Sequence, residues 1–172
     1  MEILEKIPSD KLLAFSKEHL FYEIDMLYGV SRTLINGMED RYIYNALLES
    51  FIIHASVILD FFYEPQMNAD DAKAVHYMAD IKKWKTILPP QSEGFKRFQR
   101  KRNKELVHLS YRRLEVQPEE KKWAVRRTTK QIKKIVNLFL ENAIKESISP
   151  RLWEFYTGKN SDKSIQHNEI AP

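Results

Sequence analysis

An all-α fold, an antiparallel bundle of four to five helices, is what the sequence predicts, and three observations carry it. Apolar residues recur at three- and four-residue steps through several long segments, the period of an amphipathic helix. Glycine is scarce, with 4 among 172 residues, too few for the tight turns of an all-β protein. Helix-stopping residues fall between the periodic segments: Asn36-Gly37, Pro65, Pro89-Pro90 and Pro118. A hydrophobic share of 43% supplies enough apolar material for a packed core.

The first helix is expected from Ser9, an N-cap after Pro8, to about Leu34, with Leu13, Leu20, Ile24, Leu27 and Leu34 on one face. The second is expected from Asp40 to about Tyr63. Its apolar positions (Ile43, Ala46, Leu47, Phe51, Ile52, Ala55, Ile58, Leu59, Phe62) cover most of the circumference, as suits a central helix. A short helical piece is expected near Asp70–Lys83, followed by an extended exit at Pro89-Pro90. A third long helix is expected from Ser92 to about Leu114. A fourth should open at Pro118 and run from about Glu119 to Glu146. Ser149-Pro150 should cap a final short helix carrying Leu152, Trp153, Phe155 and Tyr156. These elements make one helical-bundle domain over residues 1–157, and residues 158–172, with little to bury, read as a C-terminal tail.

Composition narrows the function classes. Cysteine is absent, which removes disulfides, thiolate catalysis, zinc fingers and iron–sulfur clusters. No glycine-rich phosphate loop occurs, and no G-x-S-x-G elbow or H-E-x-x-H pair is present. The start, MEILEKIPSDK, has no apolar signal region, and the apolar run Phe51–Tyr63 is short and carries His54 and Asp60. The expectation is a cytoplasmic chain without a membrane segment. A di-iron carboxylate bundle needs two Glu-x-x-His pairs, and the chain holds one, Glu105 with His108. His76 and Asp80, four residues apart, are two ligands at most and read as a solvated pair; no metal or other cofactor is expected. His54, on the apolar second helix, reads as a satisfied core histidine.

Net charge is +4, but the cations cluster. Lys96–Lys104 reads KRFQRKRNK, and Lys121–Lys134 (KKWAVRRTTKQIKK) contains no acid. Blocks of this kind are either solvated helix faces or the electrostatic footprint of a nucleic-acid site. The third helix is the most specific. At about 100° per residue, Phe95, Phe98, Leu106 and Leu109 fall around Arg102, placing an arginine within an apolar stripe. Such a guanidinium either pairs with a carboxylate of the second helix, with Glu49 and Asp60 as candidates, or points into a cleft and binds a phosphate.

The segment RNKELVHLSY, Arg102–Tyr111, resembles the signature of the HEPN (higher eukaryotes and prokaryotes nucleotide-binding) superfamily. That signature is an arginine, four to six residues and a histidine, often with a polar residue directly after the arginine, here Asn103. NALLESFIIHASVILDFF, Asn45–Phe62, is similar to the second helix of bacterial HEPN-like proteins, and NKELVHLSYRRLEVQPEEKKW, Asn103–Trp123, extends the likeness. The resemblance covers roughly residues 15–145. It implies a helical bundle that works as a homodimer, with RNA as ligand and, in many members, metal-independent endoribonuclease activity of a toxin or phage-defence type. An antitoxin-like protein partner is implied with it. Carried over, Arg102 binds and polarises the scissile phosphate, His108 is the general acid or base, and Asn103 is an orienting group. Lys101, Lys104, Arg97, Arg100 and Tyr111 are the expected substrate-binding residues. Other members are non-catalytic, so the alternative expectation is a helical dimerisation or partner-binding module.

Overall fold

In the computed structural model, residues 7–64, 68, 70–103, 111–115, 117 and 121–158 are described, and among them every regular element is helical. Helix α1 (Ser9–Phe15) passes through a π-helical turn (Ser16–Leu20) into α2 (Phe21–Asn36). Pro8 is the N-cap and Ser9 the first helical residue, one position from expectation. The π turn has a cause in the sequence. Leu12, Ser16, Leu20 and Ile24 are all buried at four-residue steps. Such a row drifts about 40° per step around a straight α-helix, and a wider turn absorbs the drift. The core therefore takes Leu12 where the simple period pointed to Leu13. Gly37, at φ 89°, ends α2 in a conformation that costs glycine little.

Asp40 caps α3 (Arg41–Tyr63), its carboxylate accepting from the backbone N–H groups of Tyr42 and Ile43. Glu64 is extended, as a residue before proline should be. The short connection makes α2 and α3 antiparallel, and Glu23 meets His54 at positions equidistant from the turn. By length and composition α3 is apolar enough to cross a bilayer, with a mean hydropathy of 1.6 over 18 residues. Half of that window is buried here, through Phe51, Ile52, Ala55, Ile58 and Leu59, against α2 and α6 (Val125–Asn142).

The expected helical piece at Asp70–Lys83 is divided. A 3-10 turn (Ala74–Tyr77) precedes α4 (Ile81–Ile87), because Asp80 takes the N-cap role and accepts from Lys83 N–H. Capping removes Asp80 from any shared ligand face with His76. The His76 imidazole accepts instead from Lys73 N–H at 3.3 Å, and burial with the adjacent Lys73 ammonium lowers its pKa.

Helix α5 (Glu93–Arg102) starts where expected, and Ser92 caps it by accepting from Phe95 N–H. Of the expected continuation to Leu114, residues 104–110 lie outside the described ones, and Tyr111–Glu115 is a 3-10 turn. Helix α6 begins at Val125, later than the expected Glu119. Trp123 folds back onto Phe98 with ring centroids 5.3 Å apart, and residues 121–124 stay out of the helix. It ends at Asn142, short of the expected Glu146, where Ala143 bridges Met78 and Ile144 N–H donates to Tyr77 O at 2.8 Å. Helix α7 (Pro150–Thr157) matches its expectation, capped by Ser149 and closed by Gly158 at φ 73°. Ser16 ties the two ends of the chain together, since its hydroxyl accepts from Ser149 N–H at 2.8 Å and donates to Leu13 O. Residues 159–172 of the expected tail lie outside the described ones.

The centre of the core is aromatic. Phe139 of α6 is fully buried and meets Phe61, Phe62, Tyr77 and Trp84 with ring centroids 5.5–6.2 Å away. Edge contacts of this kind add to the area each ring removes from water. Tyr77 reaches across to donate to Leu12 O at 3.1 Å, so one side chain links the middle segment to α1.

Candidate functional site

Arg102 occupies the last turn of α5, and its side chain crosses to the last turns of α3. Nη1 donates to Asp60 Oδ2 at 3.2 Å, and Nε donates to Asn103 Oδ1 at 3.0 Å. Of the two carboxylates that could have paired with it, Asp60 does so and Glu49 is exposed. The pair is not sealed in the core, because the Arg102 and Asp60 side chains keep 22% and 36% of their exposure. They open on a cleft of about 500 Å³.

The cleft is polar. Asp60 and Glu64 come from α3 and its end, Asn68, Asp71 and Lys73 from the following segment, and Gln99, Arg102 and Asn103 from α5. Phe95 and Phe98 are buried beneath, which fixes the rotation of α5 and turns Gln99 and Arg102 toward α3. Gln99 donates to Glu64 at 3.1 Å and accepts from Gln91, while Lys73 Nζ donates to the Asp60 carbonyl at 3.3 Å. Asp60 Oδ1 is buried with no hydrogen-bond partner among the described residues, and Arg102 Nη2 has none there either. Among the described residues three carboxylates face two cations, beside three amide side chains.

The expected site residues divide into groups. Arg102 and Asn103 lie together at the cleft, joined by the Nε–Oδ1 hydrogen bond. His108 and Lys104 lie outside the described residues. Lys101 turns away from the cleft, with its ammonium 4.4 Å from the Trp123 ring centroid and donating to Lys122 O at 3.0 Å. Arg97 and Arg100 sit on the outer face of α5, and Tyr111 is almost fully exposed. None of these three lines the Arg102 cleft.

Sequence reasoning missed Glu64, Asn68, Asp71, Lys73 and Gln99 as cleft residues. Asn68, Asp71 and Lys73 belong to a segment without periodicity, and only the folded chain brings it beside α5. His54 is the core histidine expected: it is buried, 2.7 Å from Glu23 Oε2, with its ring edge-on to Tyr22. No group of three or more histidine or acidic residues suited to a metal occurs among the described residues.

Fold and site together define an all-α protein whose most specific feature is an arginine-centred polar cleft between the ends of α3 and α5. No family model, curated protein or solved structure matches the chain.

Proposed function

We propose that the chain is an HEPN-like RNA-binding protein acting as a metal-independent endoribonuclease, with Arg102 as the group that meets the scissile phosphate. The position of Arg102 carries this reading. Two of its nitrogens are tethered, to Asp60 and Asn103, and Nη2 remains to donate into an open cleft. A guanidinium held this way is pre-oriented, and its fork geometry suits a phosphate better than a point charge would. His108 moves the proton, since an imidazole titrates near neutral pH. RNA supplies its own 2′-hydroxyl nucleophile, so the reaction needs no metal-bound water. Asn103 orients the guanidinium, and the cations of α5 and the start of α6 offset the cleft's carboxylates.

In this reading two copies pair and bring their Arg102 clefts together, with an antitoxin-like protein as a further partner. The exposed side chains of Ile43, Ile53 and Val57 make an apolar line along α3 that ends one turn before Asp60. A second copy placed there covers it. Sedimentation at tens of micromolar is expected to give about twice the 20.5 kDa chain mass, and a species of 20.5 kDa contradicts the pairing.

One observation favours a second reading. An arginine already paired with a carboxylate, in a cleft whose described residues include more acids than bases, also suits a non-catalytic module in which the Asp60–Arg102 bond holds α5 on α3. Incubation with total RNA in the presence of EDTA separates the two. The nuclease reading expects cleavage that the chelator leaves unchanged; intact RNA, or cleavage abolished by EDTA, contradicts it.

A further inference from the structure

The outer face of α6 carries Arg126, Arg127, Lys130, Lys133 and Lys134, all exposed, while Thr128, Ile132, Ile135, Val136 and Phe139 on the opposite face are buried. The five cations fall within about 120° of the helix circumference and extend over about 12 Å of its length. No acidic residue interrupts them, and none of the five forms an ion pair among the described residues. Neighbouring like charges repel one another at helical spacing, so the stripe carries a standing electrostatic cost that a polyanion would relieve.

We infer that this face of α6 is the docking surface for the sugar–phosphate backbone of single-stranded RNA. The class of ligand rests on the reading above; the surface does not, since none of these residues lines the Arg102 cleft. Three features point to a strand of phosphates. The cations form a line along the helix, which suits a linear array of charges. The face offers no exposed large apolar side chain, because those among the described residues lie on α2, α3, Tyr111 and Leu114. A membrane-surface helix would need such anchors. The stripe also adjoins the basic end of α5, where Phe98 stacks edge-on with Trp123 and Lys101 reaches the Lys122 carbonyl. A strand lying on α6 is thereby led toward the end of α5 that carries Arg102. Contacts of this type hold the backbone and read no base.

The test uses a labelled 2′-O-methyl uridine oligomer, whose blocked hydroxyl lets binding be measured without cleavage, over a range of salt concentrations. The triple variant Arg126→Gln, Lys130→Gln, Lys134→Gln is expected to melt as the wild type does, because the three side chains are exposed. Its affinity at low salt should fall at least tenfold, and the slope of log affinity against log salt should shrink by about two, from roughly 0.7 per lost contact. The conservative triple variant Arg126→Lys, Lys130→Arg, Lys134→Arg should bind nearly as the wild type. Arg102→Gln should keep most of this binding while losing cleavage, so the two proposals fail separately. Unchanged affinity and slope in the glutamine variant overturn the assignment. So does a wild type that binds phosphatidylserine vesicles but not the oligomer.

Discussion

Arg102→Ala and His108→Ala are each expected to lower the rate of RNA cleavage by ~10²–10⁴ while leaving a folded protein. The reasoning differs for the two residues. Removing His108 removes the group that transfers a proton. Removing Arg102 removes charge placed where the phosphorane develops, and Arg102→Lys should recover only part of it, since an ammonium lacks the guanidinium fork. The stability side follows from the geometry. A fully buried pair that loses one member costs ~3–5 kcal/mol, and an exposed pair costs ~0–1 kcal/mol. The Asp60 carboxylate left behind by Arg102→Ala borders an open cleft and can be hydrated, so a loss of about 1–2 kcal/mol is expected. Thermal melts beside cleavage rates check both halves. A collapsed melt, or an unaltered rate, would contradict the assigned role of Arg102.

The largest effect on stability is expected in the aromatic core. Phe139→Ala removes a fully buried ring from the contacts it makes with Phe61, Phe62, Tyr77 and Trp84. Aromatic-to-alanine changes in a packed core cost about 3–5 kcal/mol, through lost transfer energy and the cavity left behind. Four large rings around one void cannot all close over it without leaving their rotamers, so the upper part of that range applies. Denaturant unfolding should show a lower midpoint with little change in slope. A shift of less than about 1 kcal/mol would mean that the rings repack.

How much of this was legible in the sequence depended on whether a feature was local. Asp40 and Ser92 stand where helix starts were expected and Ser149 where a cap was, and all three cap, because a cap needs only a short polar side chain next to the first turn. Ser9, the other expected cap, is instead the first helical residue. Proline and glycine mark exits for equally local reasons. The π turn at Ser16–Leu20 was not legible, although its cause is: a four-residue apolar row that a period of 3.6 cannot keep on one face. The late start of α6 was hidden, as was the contact of Trp123 before it with Phe98, between segments far apart in sequence. The same distinction holds at the site. Arg102 and Asn103 are adjacent in sequence, and helical geometry placed Asp60 among two candidate partners. Lys73, Asp71 and Glu64 needed the folded chain to bring their segment to α5. The unbroken basic run of α6 was visible as composition, but only the burial of Ile132, Val136 and Phe139 shows that its cations share one outer face.

The central claim is that RNA is cut by its own 2′-hydroxyl at a phosphate held by Arg102, with His108 moving the proton. The chemistry of the new ends tests it most directly. A defined RNA oligonucleotide cleaved by the wild-type protein in EDTA should yield one fragment ending in a 2′,3′-cyclic phosphate and another beginning with a 5′-hydroxyl, as read by mass spectrometry. Fragments carrying 5′-phosphates, or cleavage of the matching all-deoxy strand, would contradict the account.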